Sequence, residues 1–263
     1  MRIAVLGTGN MGSWLVREFS KENEIAVYDK VKKKAQKLAS NNKNVILLYE
    51  LPELKRARPQ LLINAVSLQD TIVSFESAAQ YLDKSCVITD VASIKNGIPK
   101  YYEKNKFRFV SIHPMFGPTF ANMNSLKEEN IVLIKESDKA MAEFFKKFFL
   151  KLGLRIFKYS FEEHDKMMSY SLTLPFISSM VFAACIDTTT VPGTTFSRHV
   201  RITKGLLSEN DHLLAEILFN NHSLEKIETI TSRLEYLKHI IKGKDSGEIK
   251  KLFTKLRENI GRV

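Results

Sequence analysis

The stretch RIAVLGTGNMGSWLVREFSK, residues 2–21, joins a short apolar, β-branched run to a helical one through Gly7, Gly9 and Gly12 in GxGxxG spacing. A strand that turns directly into a helix needs a glycine at the tight turn, which is Gly7. It needs one where a pyrophosphate approaches the backbone, Gly9, and one where the helix packs on the sheet, Gly12. Free N–H groups at the helix start would hold the phosphates. Residues 7–12, including Thr8, Asn10 and Met11, are therefore the first candidate cofactor-binding group. A second apolar run, EIAVY, leads into Asp29, about 20 residues beyond the glycines. A carboxylate there accepts hydrogen bonds from the adenosine ribose and favours NAD. The following KVKKK could neutralise a 2′-phosphate, which leaves NADP open.

Beyond this unit, strand-like and helix-like segments alternate. LLINAV (61–66), SCVITDV (85–91), FRFVSI (107–112), NIVLI (130–134) and RIFKYS (155–160) read as strands. TIVSFESAAQYL (71–82) and DKAMAEFFKKFFLKLG (138–153) read as helices, the latter stopped by Gly153. After Phe161 the β-like alternation ends, and three long helical stretches are expected over 164–186, 212–243 and 246–259. The fold class is α/β: an N-terminal Rossmann dinucleotide-binding domain over 1–160, then an all-helical, dimerising substrate domain over 161–263. The apolar circumference of the first long helix points to burial against neighbours or a second subunit.

The chain is long enough for a sizeable core, with 263 residues and 44% hydrophobic content. Its 40 Lys+Arg exceed 29 Asp+Glu, for a net charge of +11. The basic residues are dispersed over apparent helix faces without an aromatic-basic or helix-turn-helix pattern, which argues against nucleic acid. No uninterrupted apolar run approaches the roughly 20 residues needed to cross a bilayer, so no membrane partner and a cytoplasmic location are expected. Cys86 and Cys185 lie in apolar surroundings and read as buried free thiols. No histidine or cysteine spacing suggests a metal.

Ligands of open α/β sheets bind beyond the carboxyl ends of the strands. Polar residues at such ends are Asn64 and Ser67, Ser93 and Lys95, and His113 in SIHPMFGPT. Imidazole titrates near neutrality, so His113 can accept an alcohol proton as hydride leaves the same carbon. The plainer alternative is a histidine that caps its strand. His164 and Asp165, adjacent on a helix, point about 100° apart and are not expected to pair. Asp165 reads as a helix-start residue.

Together GTGNMG, TDVASIK (89–95), HPMFGP (113–118), EEHDKMMSYSLTLP (162–175) and FSRHVRI (196–202) resemble, in order and spacing, the prephenate dehydrogenase family. HPMFGP is the most specific element. The resemblance implies NAD-dependent oxidative decarboxylation of a small-molecule substrate, prephenate or arogenate, by a homodimer. It implies that His113 is the catalytic base, that Ser93 hydrogen-bonds to it, and that Arg201 binds a substrate carboxylate. Thr119, past the HPMFGP loop, joins the substrate-binding set, and Ser67 the cofactor-binding set. Because the chain begins at its first strand, no fused mutase domain is expected.

Two departures touch the substrate pocket. Phe176 follows Leu174 and Pro175 where the family often has a second active-site histidine, and before FSRHVRI only Gly193 remains of the usual glycines. His199 could supply the missing polar contact. Alternatives are an arogenate dehydrogenase, a hydroxyacid dehydrogenase, or a nucleotide-binding regulator that has lost catalysis.

Overall fold

The computed structural model describes residues 1–117, 126–187, 189 and 191–262. Thr119 lies outside them. The chain runs β1 (Arg2–Leu6), α1 (Asn10–Phe19), β2 (Glu24–Tyr28), α2 (Lys32–Ser40), β3 (Val45–Leu47), α3 (Leu54–Ala57), β4 (Leu61–Asn64), α4 (Thr71–Ala79), β5 (Val87–Asp90), α5 (Ile98–Asn105), β6 (Phe109–Pro114), β7 (Asn130–Ile134), α6 (Lys139–Lys151) and β8 (Arg155–Tyr159). It continues through α7 (Phe161–Met168), a π-helical turn (Ser169–Thr173), α8 (Leu174–Ala184), α9 (Thr194–Leu206), α10 (Asp211–Leu218), α11 (Ser223–Gly243) and α12 (Ser246–Ile260). The described residues divide into two compact units, 1–168 with 210–216, and 169–209 with 217–263. The division falls after α7, because α7 packs on β7 and β8.

In the first unit eight strands form one sheet in the order β3-β2-β1-β4-β5-β6-β7-β8. Alternate strand residues point to opposite faces, so each strand feeds two layers. Ile3, Val5, Ile25, Val27, Ile63 and Ile112 pack with Trp14, Leu15 and Phe19 of α1 and Phe145 and Phe149 of α6. Ala4, Leu6, Leu62 and Ile88 pack on the other face with Phe75 of α4 and Tyr101 and Tyr102 of α5. Burying each of the Val, Leu, Ile and Phe side chains stabilises the fold by about 1.5–3 kcal/mol. Helix α6 presents Phe144, Phe145 and Phe148 around Phe19, whose ring stacks on Phe148 at 4.0 Å, and Phe149 packs beside Phe145.

Two features depart from the sequence reading. Strand β3 is a three-residue edge strand with Ile46 more than half exposed, too short to leave a periodic signal. Strand β7 runs antiparallel to β6, with His113 opposite Val132. Antiparallel neighbours need no crossover helix, whereas parallel ones do, and β7 follows β6 directly in the sheet order.

The helical unit departs further. The expected helix over 212–243 is two helices, because Asn220 breaks it. The Asn220 side-chain oxygen accepts from the His222 N–H at 2.9 Å, and its carbonyl accepts from the Ser223 N–H at 2.8 Å. Asparagine readily forms such turns through its own side chain. The Thr173 and Ser223 hydroxyls, 2.9 Å apart, both donate toward the Ile217 carbonyl and tie the π-helical turn to α11. Cys86 is buried as expected, and burial pushes its thiol up to about 12. Cys185 is exposed, because it stands at the C-terminal cap of α8. The continuous helix Phe161–Ala184 is, by length and composition alone, long and apolar enough to cross a membrane. The expectation of no such segment is corrected, since serines and threonines interrupt its apolar run without lowering its mean hydropathy enough to disqualify it.

Candidate active site

Strands β2, β1, β4, β5 and β6 are parallel neighbours in the sheet. Their carboxyl ends therefore share one edge, which carries Asp29, the glycine turn, Ser67, Ser93 and His113. The chain moves from β1 outward to β3, then crosses to β4 on the other side of β1. That reversal opens the crevice where ligands of such sheets bind. Asp29 sits one strand to one side of the glycine turn. His113 sits three strands to the other, about 14 Å away at ordinary strand spacing.

The glycines occupy their positions for different reasons. Gly7 has φ +87°, and a Cβ there would lie 2.6 Å from the Ala65 carbonyl oxygen. A Cβ on Gly12 would lie 2.0 Å from the Gly7 oxygen. At Gly9, the N-cap of α1, an added Cβ would meet nothing within 4 Å, so the space before the helix N-terminus is open. These three features suit a dinucleotide: a tight turn, close helix packing, and clear backbone N–H groups where phosphate would approach.

Asp29 is half-buried and already engaged. Its Oδ2 accepts the Thr8 N–H at 2.7 Å and the Thr8 hydroxyl at 2.8 Å, and Oδ1 accepts the Val31 N–H at 2.7 Å. Burial opposes its ionisation, but these hydrogen bonds and the nearby Lys34 outweigh it and hold its pKa below the ordinary value. A carboxylate has about four acceptor positions, so one remains for a ribose hydroxyl. Ser67 faces a different partner, donating to Asp70 Oδ2 at 2.7 Å.

At the β6 end, His113 is buried. Ser93 is half-buried and makes no hydrogen bond to it among the described residues. The neighbour of His113 is His164 of α7, with Nδ1 3.1 Å from His164 Nε2. His164 Nδ1 lies in turn 3.1 Å from Asp165 Oδ1. The expectation that His164 and Asp165 could not pair is therefore wrong. Helix α7 begins at Phe161, so Asp165 is not a helix-start residue, and its carboxylate bends back to its neighbour's ring. A carboxylate only accepts, so His164 carries its proton on Nδ1 and offers Nε2 as an acceptor. His113 must then donate from Nδ1, which leaves its Nε2 an unprotonated acceptor. Burial, then His164, then Lys95 push the His113 pKa well below the usual 6.5, so this neutral form persists below neutrality.

Lys95, read from the sequence as a strand-end ligand group, is fully buried. Its ammonium meets Asp90 Oδ1 at 2.5 Å and the Ile112 carbonyl at 2.8 Å, while the Tyr102 hydroxyl donates to Asp90 Oδ2 at 2.8 Å. Burial lowers the Lys95 pKa against the opposing pull of Asp90. Lys95 thus braces the strand that carries His113, one residue before it.

In the helical unit, Arg201 and His199 are both exposed on α9. The His199 ring packs on Phe182 of α8 at 5.5 Å. Two residues apart on a helix, they project about 200° from one another, so the surface that displays Arg201 is not the one that displays His199. Phe176 is buried within this unit.

Residues 15–158, more than half of the chain, match the family described as "Prephenate dehydrogenase, nucleotide-binding domain". A probable arogenate/prephenate dehydrogenase of Methanocaldococcus jannaschii is 24% identical over 216 residues, 76% of this chain and 48% of the relative. The chain thus spans about half the length of that curated relative. Aquifex aeolicus prephenate dehydrogenase, solved with hydroxyphenyl propionate and NAD+, shares 17% identity at a TM-score of 0.86, over 100% of this chain and 98% of that one. Synechocystis arogenate dehydrogenase shares 18% identity at a TM-score of 0.80, over 100% of this chain and 99% of that one. Those two likenesses establish a common fold. With the sequence match over the nucleotide-binding region, they show that this chain belongs to the prephenate dehydrogenase family.

Proposed function

We propose that this protein is a cytoplasmic, NAD-dependent dehydrogenase that oxidatively decarboxylates prephenate to 4-hydroxyphenylpyruvate. The observation that carries this reading is the Asp165-His164-His113 chain, which leaves a bare imidazole nitrogen at the same sheet edge as the glycine turn. Bound in the crevice, NAD supplies the hydride acceptor for the ring carbon that bears the hydroxyl. His113 Nε2 takes the ring hydroxyl proton, and the Nδ1 hydrogen bond to His164 keeps the imidazole oriented while it does so. Asp29 receives a ribose hydroxyl at its remaining acceptor position, and the clear N–H groups beyond Gly9 hold the pyrophosphate. We assign substrate binding to Ser93, Thr119 and Arg201, to Arg201 because guanidinium offers a carboxylate bidentate geometry.

The protein acts as a homodimer joined through its helical unit. Supporting this, Val191, Phe219, Ile241 and Ile260 are largely exposed in the single chain, and burial of apolar surface drives most protein association.

Arogenate is the second reading, because the apolar Phe176 stands where the family often has a polar group and so alters the substrate-side pocket. Purified protein incubated with prephenate or arogenate and either NAD or NADP, followed at 340 nm, decides between them. Turnover of prephenate with NAD is expected. Turnover of arogenate alone would favour the second reading, and no reduction in any combination would refute both.

A further inference from the structure

The turns that follow β2 and β4 flank the glycine turn, and one ion pair joins them. Lys30, the residue after Asp29, extends its ammonium to Asp70 Oδ2 at 2.8 Å. Asp70 ends the short 3-10 turn Leu68–Asp70, and the same oxygen accepts the Ser67 hydroxyl at 2.7 Å. Two donors on one oxygen fix the direction of the Asp70 carboxylate, and the carboxylate holds Lys30 toward the β4 side.

The location gives this pair a meaning that an isolated surface ion pair lacks. At the end of β2, an acidic residue recognises the ribose 2′-hydroxyl, whereas a nearby cation accommodates a 2′-phosphate. This chain carries both, with Asp29 followed at once by Lys30. The two residues make opposite demands on the cofactor, and which demand prevails depends on where the Lys30 charge is directed. Hydrogen bonding and attraction from Asp70 raise the Lys30 pKa, and hydrogen bonds from Lys30 and the Ser67 hydroxyl lower that of Asp70, so both remain charged near neutrality.

We propose that Asp70 is a specificity-determining residue that disfavours NADP by holding Lys30 away from a 2′-phosphate. The proposal rests on the dinucleotide reading of the β1–α1 turn. It assigns Ser67 a positioning role, through Asp70, in place of direct contact with the cofactor.

Isothermal titration of purified protein with NAD and with NADP, without substrate, tests this independently of turnover. In Asp70→Asn the carboxamide keeps the shape and can still accept from Ser67, but the charge is gone. NADP should bind about three- to tenfold more tightly than to the wild type, the range expected when a weak surface pair is released and its cation freed for the phosphate. NAD affinity should change by less than about twofold. Adding Lys30→Met to Asp70→Asn should cancel most of the gain. Unchanged NADP affinity in Asp70→Asn, or a gain that survives Lys30→Met, would overturn the proposal while the dinucleotide reading stands. Failure of the wild type to bind either nucleotide would overturn both.

Discussion

In the sheet unit, Phe19, Phe75, Phe145 and Phe149 are all but fully buried, shared between the helix layers on the two faces. In the helical unit the balance is reversed, with Val191 at 91%, Phe219 at 79% and Ile260 at 76% exposure. Both units contain helices with apolar stripes. The difference is that a sheet offers each helix a broad apolar face to cover, whereas α8, α9, α11 and α12 have only one another within their unit. Amphipathic helices that cannot cover one another's stripes leave apolar surface exposed.

The largest effect that could break this comparison is on stability. Phe145→Ala, which empties a fully buried site between α1 and α6, should cost about 3–5 kcal/mol in denaturant unfolding. A loss under about 1 kcal/mol would mean that the sheet unit is not closed as described. Next comes chemistry confined to the sheet edge. His113→Asn should lower turnover by about 100-fold or more while nucleotide binding by calorimetry stays nearly unchanged. Equal loss of both would assign the residue to structure.

Removing the carboxylate that sets the tautomer should cost less. Asp165→Asn can donate to His164 Nδ1, which turns the chain around and places the proton of His113 on Nε2. Turnover should fall about tenfold, with the Michaelis constant little changed. The wild-type pH profile carries a related sign. His113 has a folded-state pKa below its unfolded value, so its neutral form should support turnover below pH 6.5. Its contribution to folding stability is present above about pH 6.5 and is lost as pH falls toward the folded-state pKa, because the unfolded chain takes up its proton first. A thermal melt that is flat from about pH 7 to about pH 5 would contradict this. The smallest effect on a single chain is expected in the helical unit: Phe219→Ser should alter monomer unfolding by less than about 0.5 kcal/mol. In sedimentation it should shift a dimer toward monomer, and no shift would exclude Phe219 from the interface.

The sheet unit was largely legible because its signals are local. GxGxxG between a strand and a helix, β-branched runs of four to six residues, and Gly153 after helix α6 each state their element within a few positions. The antiparallel turn of β7 was not legible, since direction is set by how the chain returns and not by the composition of the strand. The pairing of His164 with Asp165 was missed for a different reason. Helical projection angles describe where side chains leave the backbone, yet an aspartate is flexible enough to reach back to the preceding ring. The signal was nevertheless present in EEHDK, where a histidine beside a carboxylate opens an apolar helix. The burial of Lys95 was equally hidden, because only the fold brings Asp90 and the Ile112 carbonyl around its ammonium.

The glycine turn holds two kinds of necessity within six residues. At Gly12 an added methyl would meet the Gly7 oxygen, whereas at Gly9 it would meet nothing of the protein. A library randomised at both positions and sorted only for folded protein should therefore retain glycine at 12 and accept varied residues at 9. Sorted for nucleotide capture, the same library should also return glycine at 9. Tolerance at position 9 thus separates the demands of the ligand from those of the fold, in a stretch where a sequence pattern assigns both to a single motif.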